Sequence, residues 1–402
     1  MNSLTRSENS ERRLLGSSLV TGSEVGPQAG ASCVITTDSE KSLVSRQASH
    51  VQQIELRSYV FLDSLLEKIP KNHKIVHIKS EDMAPSCSLT STAVCCLQGV
   101  QKGVSPLGDL LVESHSLTTS FFEKERPDGV VRGRQYNQCE PEGKNSVLEY
   151  ERRFQKVDDL KYLGPFTNPL NPQKGKVWDA YFIDPPVYLK WFSKRVKKKA
   201  KDKGVNFLEL YDFVTGITYD SKDGFILETH SEAFFKADQI ILATGAYSKL
   251  MKDFLPGEYR PLEKAKVVSG SYLVFNDIEP DFKCDESFCI TFKGHNFIYQ
   301  HWKKCFLIGG TTDSNDEGAL KAPQVVKLKE MYEVGKNELK LPLPPFEKGD
   351  MLVGLRQKGI KRTPFWGPLK SAQGNIYGIL SLYKNGYTFS FKAAKDLCSQ
   401  IF

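Results

Sequence analysis

A mixed α/β (α+β) fold is what this sequence predicts, on three observations. Beyond residue 50 the chain reads strand, helix, strand within about 25 residues, the size of a β-α-β unit. Between residues 207 and 308 it becomes a series of short strands separated by turns, the pattern of an antiparallel sheet. From Phe389 to Ile401 it returns to helix. A chain of 402 residues has room for two or three domains and a large core.

The elements follow in order. Residues 1–50 hold eleven serines and no aromatic side chain, and show no sustained period. They predict a poorly ordered N-terminal extension. One apolar run within it, from Ser32 through Cys33, Val34 and Ile35 to Thr37, predicts an isolated strand. Gln53-Ile54-Glu55-Leu56 reads as a strand opening the folded part. Val60 to Ile69 is helical, with Leu62, Leu65, Leu66 and Ile69 at helical spacing, and Pro70 stops it. Lys74 to Ile78 is the second strand. A turn at Val104–Gly108 leads into a helix through Leu110, Leu111 and Phe121.

Asp184 before Pro185 and Pro186 marks a helix start: a capping carboxylate, then proline where its missing N–H is harmless. That helix runs to Gly204 with Leu189, Phe192, Val196 and Ala200 on one face. Lys194, Arg195, Lys197, Lys198, Lys199, Lys201 and Lys203 lie on the other. The basic face reads as solvated, its charges favourably near the helix C-terminus. It has no interleaved aromatic residue, so it does not point to nucleic acid. Ile240-Ile241-Leu242 is apolar throughout and predicts a central, parallel strand.

Composition narrows the function classes. Fifty-five Lys and Arg against 48 Asp and Glu give a net charge of +7, which admits an anionic ligand without indicating nucleic acid. No apolar run approaches a bilayer span, and residues 1–13 lack the apolar core of a secretory leader, so no membrane association is expected. The nine cysteines include no C-x-x-C and no repeated zinc spacing. They read as reduced thiols in a cytoplasmic protein, with no metal site expected.

Four segments carry candidate site residues. Ala243-Thr244-Gly245-Ala246 follows the apolar strand, and its small side chains would let a ligand approach the backbone. Ile308-Gly309-Gly310-Thr311 is a second glycine turn. Gly354-Leu355-Arg356 ends another apolar strand, and the planar guanidinium of Arg356 suits a carboxylate. Asn385-Gly386-Tyr387-Thr388 precedes the C-terminal helix, where backbone N–H groups favour an anion or electron-rich carbonyl.

In this order, together with Ser91-Thr92-Ala93, Ser105-Pro106-Leu107-Gly108, Ile183-Asp184-Pro185 and Ala393-Ala394, these segments resemble the D-amino-acid oxidase superfamily of FAD-dependent oxidoreductases. The resemblance runs from about Val51 to the C-terminus. It implies a Rossmann-like FAD-binding domain assembled from discontinuous segments, about 51–125, 180–255 and 350–402. An antiparallel-sheet substrate domain would take about 126–179 and 256–349. FAD is the implied cofactor, with Ala243, Thr244, Gly245, Ala246, Gly354, Asn385, Gly386, Tyr387 and Thr388 as its binding residues. A small amine or amino acid is the implied substrate. Its carboxylate would be held by Arg356 while hydride passes from the carbon bearing nitrogen to the flavin.

Two departures accompany the resemblance. Arg57, Tyr59 and Leu62 stand where the family has the glycines of its phosphate loop, and Lys79 stands where an acidic residue grips the ribose. Two readings therefore remain open. One is an active FAD-dependent amine or amino-acid oxidoreductase. The other is a degenerate homologue that binds no flavin and serves as a binding or structural protein.

Overall fold

The structure, a computed structural model, describes residues 33–37, 56–79, 87–97, 105–138, 158–160, 173–255, 259–276, 278, 284–314, 321–369 and 375–402. Apart from residues 33–37, the segment expected to be poorly ordered lies outside the described residues. In chain order the elements that position the site are β1 (Cys33–Thr37), α1 (Leu56–Lys68), β2 (Lys74–Lys79), α2 (Pro106–Glu125) and α3 (Pro185–Lys203). β3 (Asn206–Tyr211), β4 (Gln239–Leu242), β5 (Lys266–Phe275) and β6 (Asp350–Lys358) follow. β7 (Phe365–Pro368), β8 (Ile376–Leu380) and α4 (Gly386–Ile401) complete them.

The first sheet has six strands in the order β7-β8-β4-β1-β2-β3. Strands β2 and β3 are parallel, as are β4 and β8. Strand β1 lies between the two pairs and runs against both, with Cys33 opposite Ile78 and Leu242. Both faces of the sheet are covered. Ile75, Ile241 and Ile379 pack with α1, α3 and α4 in one core. Val76, Ile78, Ile240, Leu242 and Leu380 pack with Val214, Ile217, Phe225 and Leu227 in another. Alternate residues of one strand enter opposite cores, which is why β4 reads as uninterrupted apolar sequence.

The start of the chain departs from the expected parallel β-α-β unit. Leu56 does not close a strand. It opens α1, because Leu56, Tyr59 and Val60 continue the helical apolar face by one more turn, all of them buried. Gln53, Ile54 and Glu55 lie outside the described residues. The run at Cys33–Thr37 is not isolated; it is an interior strand of the sheet.

The second sheet has ten strands. β5 pairs with β6 over nine positions, Lys266 opposite Lys358 through Val274 opposite Asp350, and with Cys305–Gly309 on its other side. The sheet continues through His295–Gln300, Phe288–Phe292, Val130–Gln138, Gln173–Ile183 and Val94–Cys95. Its core gathers Leu273, Phe275, Phe288, Ile290, Phe297 and Phe306 around Leu328 and Met331. Residues 239–242 and 376–380 thus share the first sheet with Lys74–Lys79, while the antiparallel strands between 266 and 309 form the second.

Helix α3 differs from its expected role in two respects. The backbone of Asp184 takes the extended conformation of a cap, but its carboxylate makes no cap hydrogen bond and pairs with Lys303 at 2.7 Å. The basic face is not simply solvated. Arg195 bridges Asp63 of α1 (2.9 Å) and Glu125 of α2 (2.7 Å), and Lys203 donates to the carbonyl of Leu66 at 2.7 Å. Lys199 pairs with Asp63 and Glu67. These cations tie α3 to the end of α1 and satisfy its final carbonyls. Among the described residues, no helix is long and apolar enough to cross a membrane.

Candidate functional site

A cavity of about 130 Å³ lies between the second sheet and the starts of α1 and α4. One wall is β5 and β6, through Gly270, Tyr272, Arg356 and Gln357. The opposite wall is the entrance to α4, from Leu382 to Tyr387, and the segment Thr90–Val94 closes a third side beside the start of α1. The charged side chains in this lining are Arg57, Arg356 and Lys384; it holds no Asp, Glu or His among the described residues. A buried site with this imbalance favours an anion.

Arg356 is placed by the β5–β6 ladder. Gly270 lies directly opposite Gly354, and with no side chain at 270 the guanidinium of Arg356 can lie across the strand. A Cβ on Gly270 would stand 1.2 Å from Arg356 Nη2 and 2.3 Å from its Cζ. Gly354 has its own reason to be glycine: a Cβ there would meet Thr90 Oγ1 at 2.5 Å. This close approach brings the Thr90–Ala93 segment against β6. Arg356 Nη2 donates to the Thr311 carbonyl at 3.0 Å, and Thr311 Oγ1 accepts from Ser271 N–H at 2.9 Å. The guanidinium pairs with no carboxylate of the described residues. Burial pulls its pKa below the usual arginine value, opposed by Cys87 and Tyr383. Four of its five N–H donors are thus left for a ligand.

The α4 entrance brings Asn385, Gly386 and Tyr387 to the cavity. A Cβ on Gly386 would meet nothing within 4 Å, so the first turn of α4 is open on that side. Tyr387 Oη donates to the Ser88 carbonyl at 2.5 Å, fastening the Cys87–Ala93 segment to the helix. Thr388 is in the sequence-predicted set but points away. It is buried, its carbonyl accepts from Thr118 Oγ1 at 2.9 Å, and its hydroxyl donates to Cys95 Sγ at 3.4 Å. Its part is to lock α4 onto α2.

Ala243, Thr244, Gly245 and Ala246 are not brought to the cavity. Ala243, Thr244 and Ala246 are buried, and Ala246 packs against Val267 of β5 and Leu355 of β6. Thr244 Oγ1 donates to Ser248 Oγ at 2.7 Å, which donates to the Gly245 carbonyl at 2.8 Å. Their small side chains serve the packing of the β4 turn beneath the β5–β6 pair. Cys87, Ser88 and Thr90 line the cavity without having been singled out. The signal available was the run of small polar residues from Ser86 to Thr92, which reads equally well as a surface loop.

The carboxyl end of β2 holds a second cluster that sequence reading missed. Buried Lys79 pairs with Glu209 of β3 at 2.8 Å and donates to Tyr59 Oη of α1 at 3.0 Å and to Tyr211 Oη at 3.4 Å. Tyr59 Oη donates to Glu209 at 2.8 Å, and Lys197 of α3 closes on the same carboxylate at 2.6 Å. Burial alone would raise the pKa of Glu209, but His77, Lys79 and Lys197 hold it well below the usual carboxylate range. Burial, then the Glu209 charge, pushes the Tyr59 phenol far up, so it remains a donor.

Comparison with known proteins places this geometry. The sequence profile of the family described as DAO, FAD dependent oxidoreductase, matches residues 86–400. Glycine oxidase from Bacillus cereus ATCC 14579 superposes with a TM-score of 0.64 over 86% of this chain and 92% of its own, at 15% identity. L-proline dehydrogenase from P. horikoshii gives 0.65 over 86% and 91%, at 12% identity. L-alpha-glycerophosphate oxidase from Mycoplasma pneumoniae with FAD bound gives 0.64 over 85% and 92%, at 14% identity. At these identities the likeness is one of fold.

A separate similarity has a different character. Over 62 residues the chain is 76% identical to the carboxysome shell protein CsoS1D of Prochlorococcus marinus subsp. pastoris. That stretch is 15% of this chain and 24% of the shell protein, so the chain spans about a quarter of that relative's length.

The family implies FAD, and the two ends of the fold answer differently. Arg356, Gly386 and the open first turn of α4 line a cavity of the kind that receives a substrate and the reactive end of a cofactor. At the other end, the Lys79–Glu209 pair fills the place of the ribose-binding carboxylate. The residues there do not fit the ADP half of FAD.

Proposed function

Because the chain belongs to the FAD dependent oxidoreductase family, we propose that its cavity takes a small amine or amino acid for oxidation of the C–N bond. That oxidation removes two electrons and two protons from the amine, and flavin is the acceptor such chemistry uses. The observation that carries the reading is Arg356: a half-buried guanidinium in the cavity, anchored by one bond to Thr311 and facing no carboxylate among the described residues.

The chain's own residues would contribute binding and orientation. Arg356 holds the carboxylate through two parallel N–H bonds, which fixes the carbon that bears nitrogen relative to the α4 entrance. Gly270 leaves space for that fork, and Thr311 sets its plane. The described lining holds no Asp, Glu or His, and the amine would lose its proton to solvent before it binds. A cavity of about 130 Å³ matches an amino acid with a small side chain; a comparable engineered void of roughly 150 Å³ holds benzene.

The test is calorimetric titration with glycine, alanine and alanine amide, on the native protein and on Arg356→Lys and Arg356→Met, with hydrogen peroxide and ammonia release followed in parallel after adding flavin. Losing a charge-assisted pair costs about 1.5–3 kcal/mol, roughly ten- to a hundredfold in affinity. The amino acids should bind, the amide should bind weakly, and Arg356→Met should erase that difference. Equal affinity for alanine in Arg356→Met and the native chain would sink the assignment. Arg362, the next arginine along the chain, is exposed and outside the cavity lining.

A further inference from the structure

We infer that the dinucleotide end of this fold offers no site for the ADP half of FAD. FAD then binds it no more tightly than a flavin that lacks ADP. The inference borrows from the proposed function only the placing of a flavin at the cavity.

The first observation is one of extent. The family profile begins at residue 86, after β1, α1 and β2. These are the elements whose junction forms the phosphate loop in dinucleotide-binding folds.

The second observation is direction. A pyrophosphate site needs the first strand to end at the carboxyl edge of the parallel strands and turn at once into a helix N-terminus. Here β1 runs the other way. Its last residue, Thr37, lies opposite Lys74, the first residue of β2, while Cys33 lies opposite Ile78 and Leu242. The strand ends at the amino edge of β2, and residues 38–55 separate it from α1. Among the described residues, β1 makes no strand-to-helix turn at the carboxyl edge.

The third observation is occupancy. The Leu56 N–H at the start of α1 donates to Ser88 Oγ at 3.3 Å, and Arg57 Nη1 donates to the Ile379 carbonyl at 3.3 Å. Both side chains are buried. The first turn of α1 thus shows the cavity the side chains of Leu56 and Arg57, where a dinucleotide fold leaves glycine backbone bare.

The fourth is chemistry. A ribose diol needs an acceptor at the end of β2. Lys79 is there instead, a donor with no acceptor capacity, and its charge is spent on buried Glu209. Breaking that pair to admit a ribose would strand a buried charge.

The experiment is a set of equilibrium titrations on the full chain, reading flavin fluorescence for FAD, FMN and riboflavin, with ADP added as competitor and thermal denaturation with ADP alone. Dissociation constants for FAD and riboflavin should agree within about threefold, ADP should not displace FAD, and ADP should not raise the melting temperature. A preference for FAD over riboflavin of about a hundredfold or more, or displacement of FAD by ADP, would overturn the inference. If neither flavin binds and ADP has no effect, the inference stands and the flavin-dependent part of the proposed function falls.

Discussion

Gly270→Ala isolates the guanidinium of Arg356 without touching the arginine. The new Cβ would stand 1.2 Å from Nη2, 2.3 Å from Cζ and 2.9 Å from Nε. Ordinary carbon contacts begin at about 3.5 Å, so the guanidinium must retreat by roughly 2 Å. A retreat of that size breaks the 3.0 Å bond to Thr311 and rotates the fork away from its ligand. Affinity for a small amino acid should fall by about 1.5–3 kcal/mol, ten- to a hundredfold. Stability should fall by about 0.5–2.5 kcal/mol. Loss of the Thr311 bond costs about 1.5–3 kcal/mol, while alanine in a strand recovers about 0.5–1 kcal/mol of backbone entropy relative to glycine. Because the obstructing atoms are the end of a flexible side chain, the β5–β6 ladder can persist. Denaturant melts give stability and calorimetric titration with alanine gives affinity. Unchanged affinity in a folded Gly270→Ala protein would refute the placement of Arg356 as ligand-holding. An additive further loss in the Gly270→Ala, Arg356→Met double variant would also refute it, since both changes should remove one interaction.

Two further outcomes follow from the packing. Arg195→Met, which leaves Asp63 and Glu125 without their shared partner, should destabilise by about 2–3 kcal/mol in urea melts, whereas Lys198→Gln, at an exposed position, should stay within about 0.5 kcal/mol. Equal costs would mean that α3 is not fastened through Arg195. His115 on α2 is held neutral by burial, its pKa lowered from 6.5 to about 4. The unfolded chain therefore takes up its proton first, and stability present above pH 6.5 is lost as the pH falls towards 4. His115→Gln should flatten that part of the stability curve, and an unaltered slope would exclude the histidine as its source.

Several elements were legible because local chemistry decides them. The helix expected through Leu110, Leu111 and Phe121 is α2, but Pro106–Gly108, expected as part of a turn, is already its first turn, with the Ser105 hydroxyl accepting from Gly108 N–H at 3.1 Å. The apolar run Ile240–Leu242 reads as a strand covered on both faces, and it is one. Arg356 was legible as a candidate because a cation following an apolar strand must be accommodated by something. Small residues were less informative. Glycine and alanine at 243–246 and at 354 admit either a ligand or another piece of the protein. At 246 the neighbours are Val267 and Leu355, and at 354 the neighbour is Thr90.

Strand direction was settled by pairing alone. The period of two in Cys33–Thr37 is the same read from either end, so nothing local distinguishes a parallel first strand from one threaded backwards between β2 and β4. The Lys79 cluster is of the same kind. Its five polar members come from α1, β2, α3 and β3, and a buried lysine becomes tolerable only once Glu209, Tyr59 and Tyr211 converge on it. Composition and periodicity carry local preferences and the side chains available for burial; which unlike charges meet in the interior, and which edge of a sheet a strand faces, are properties of contacts between residues far apart in the chain.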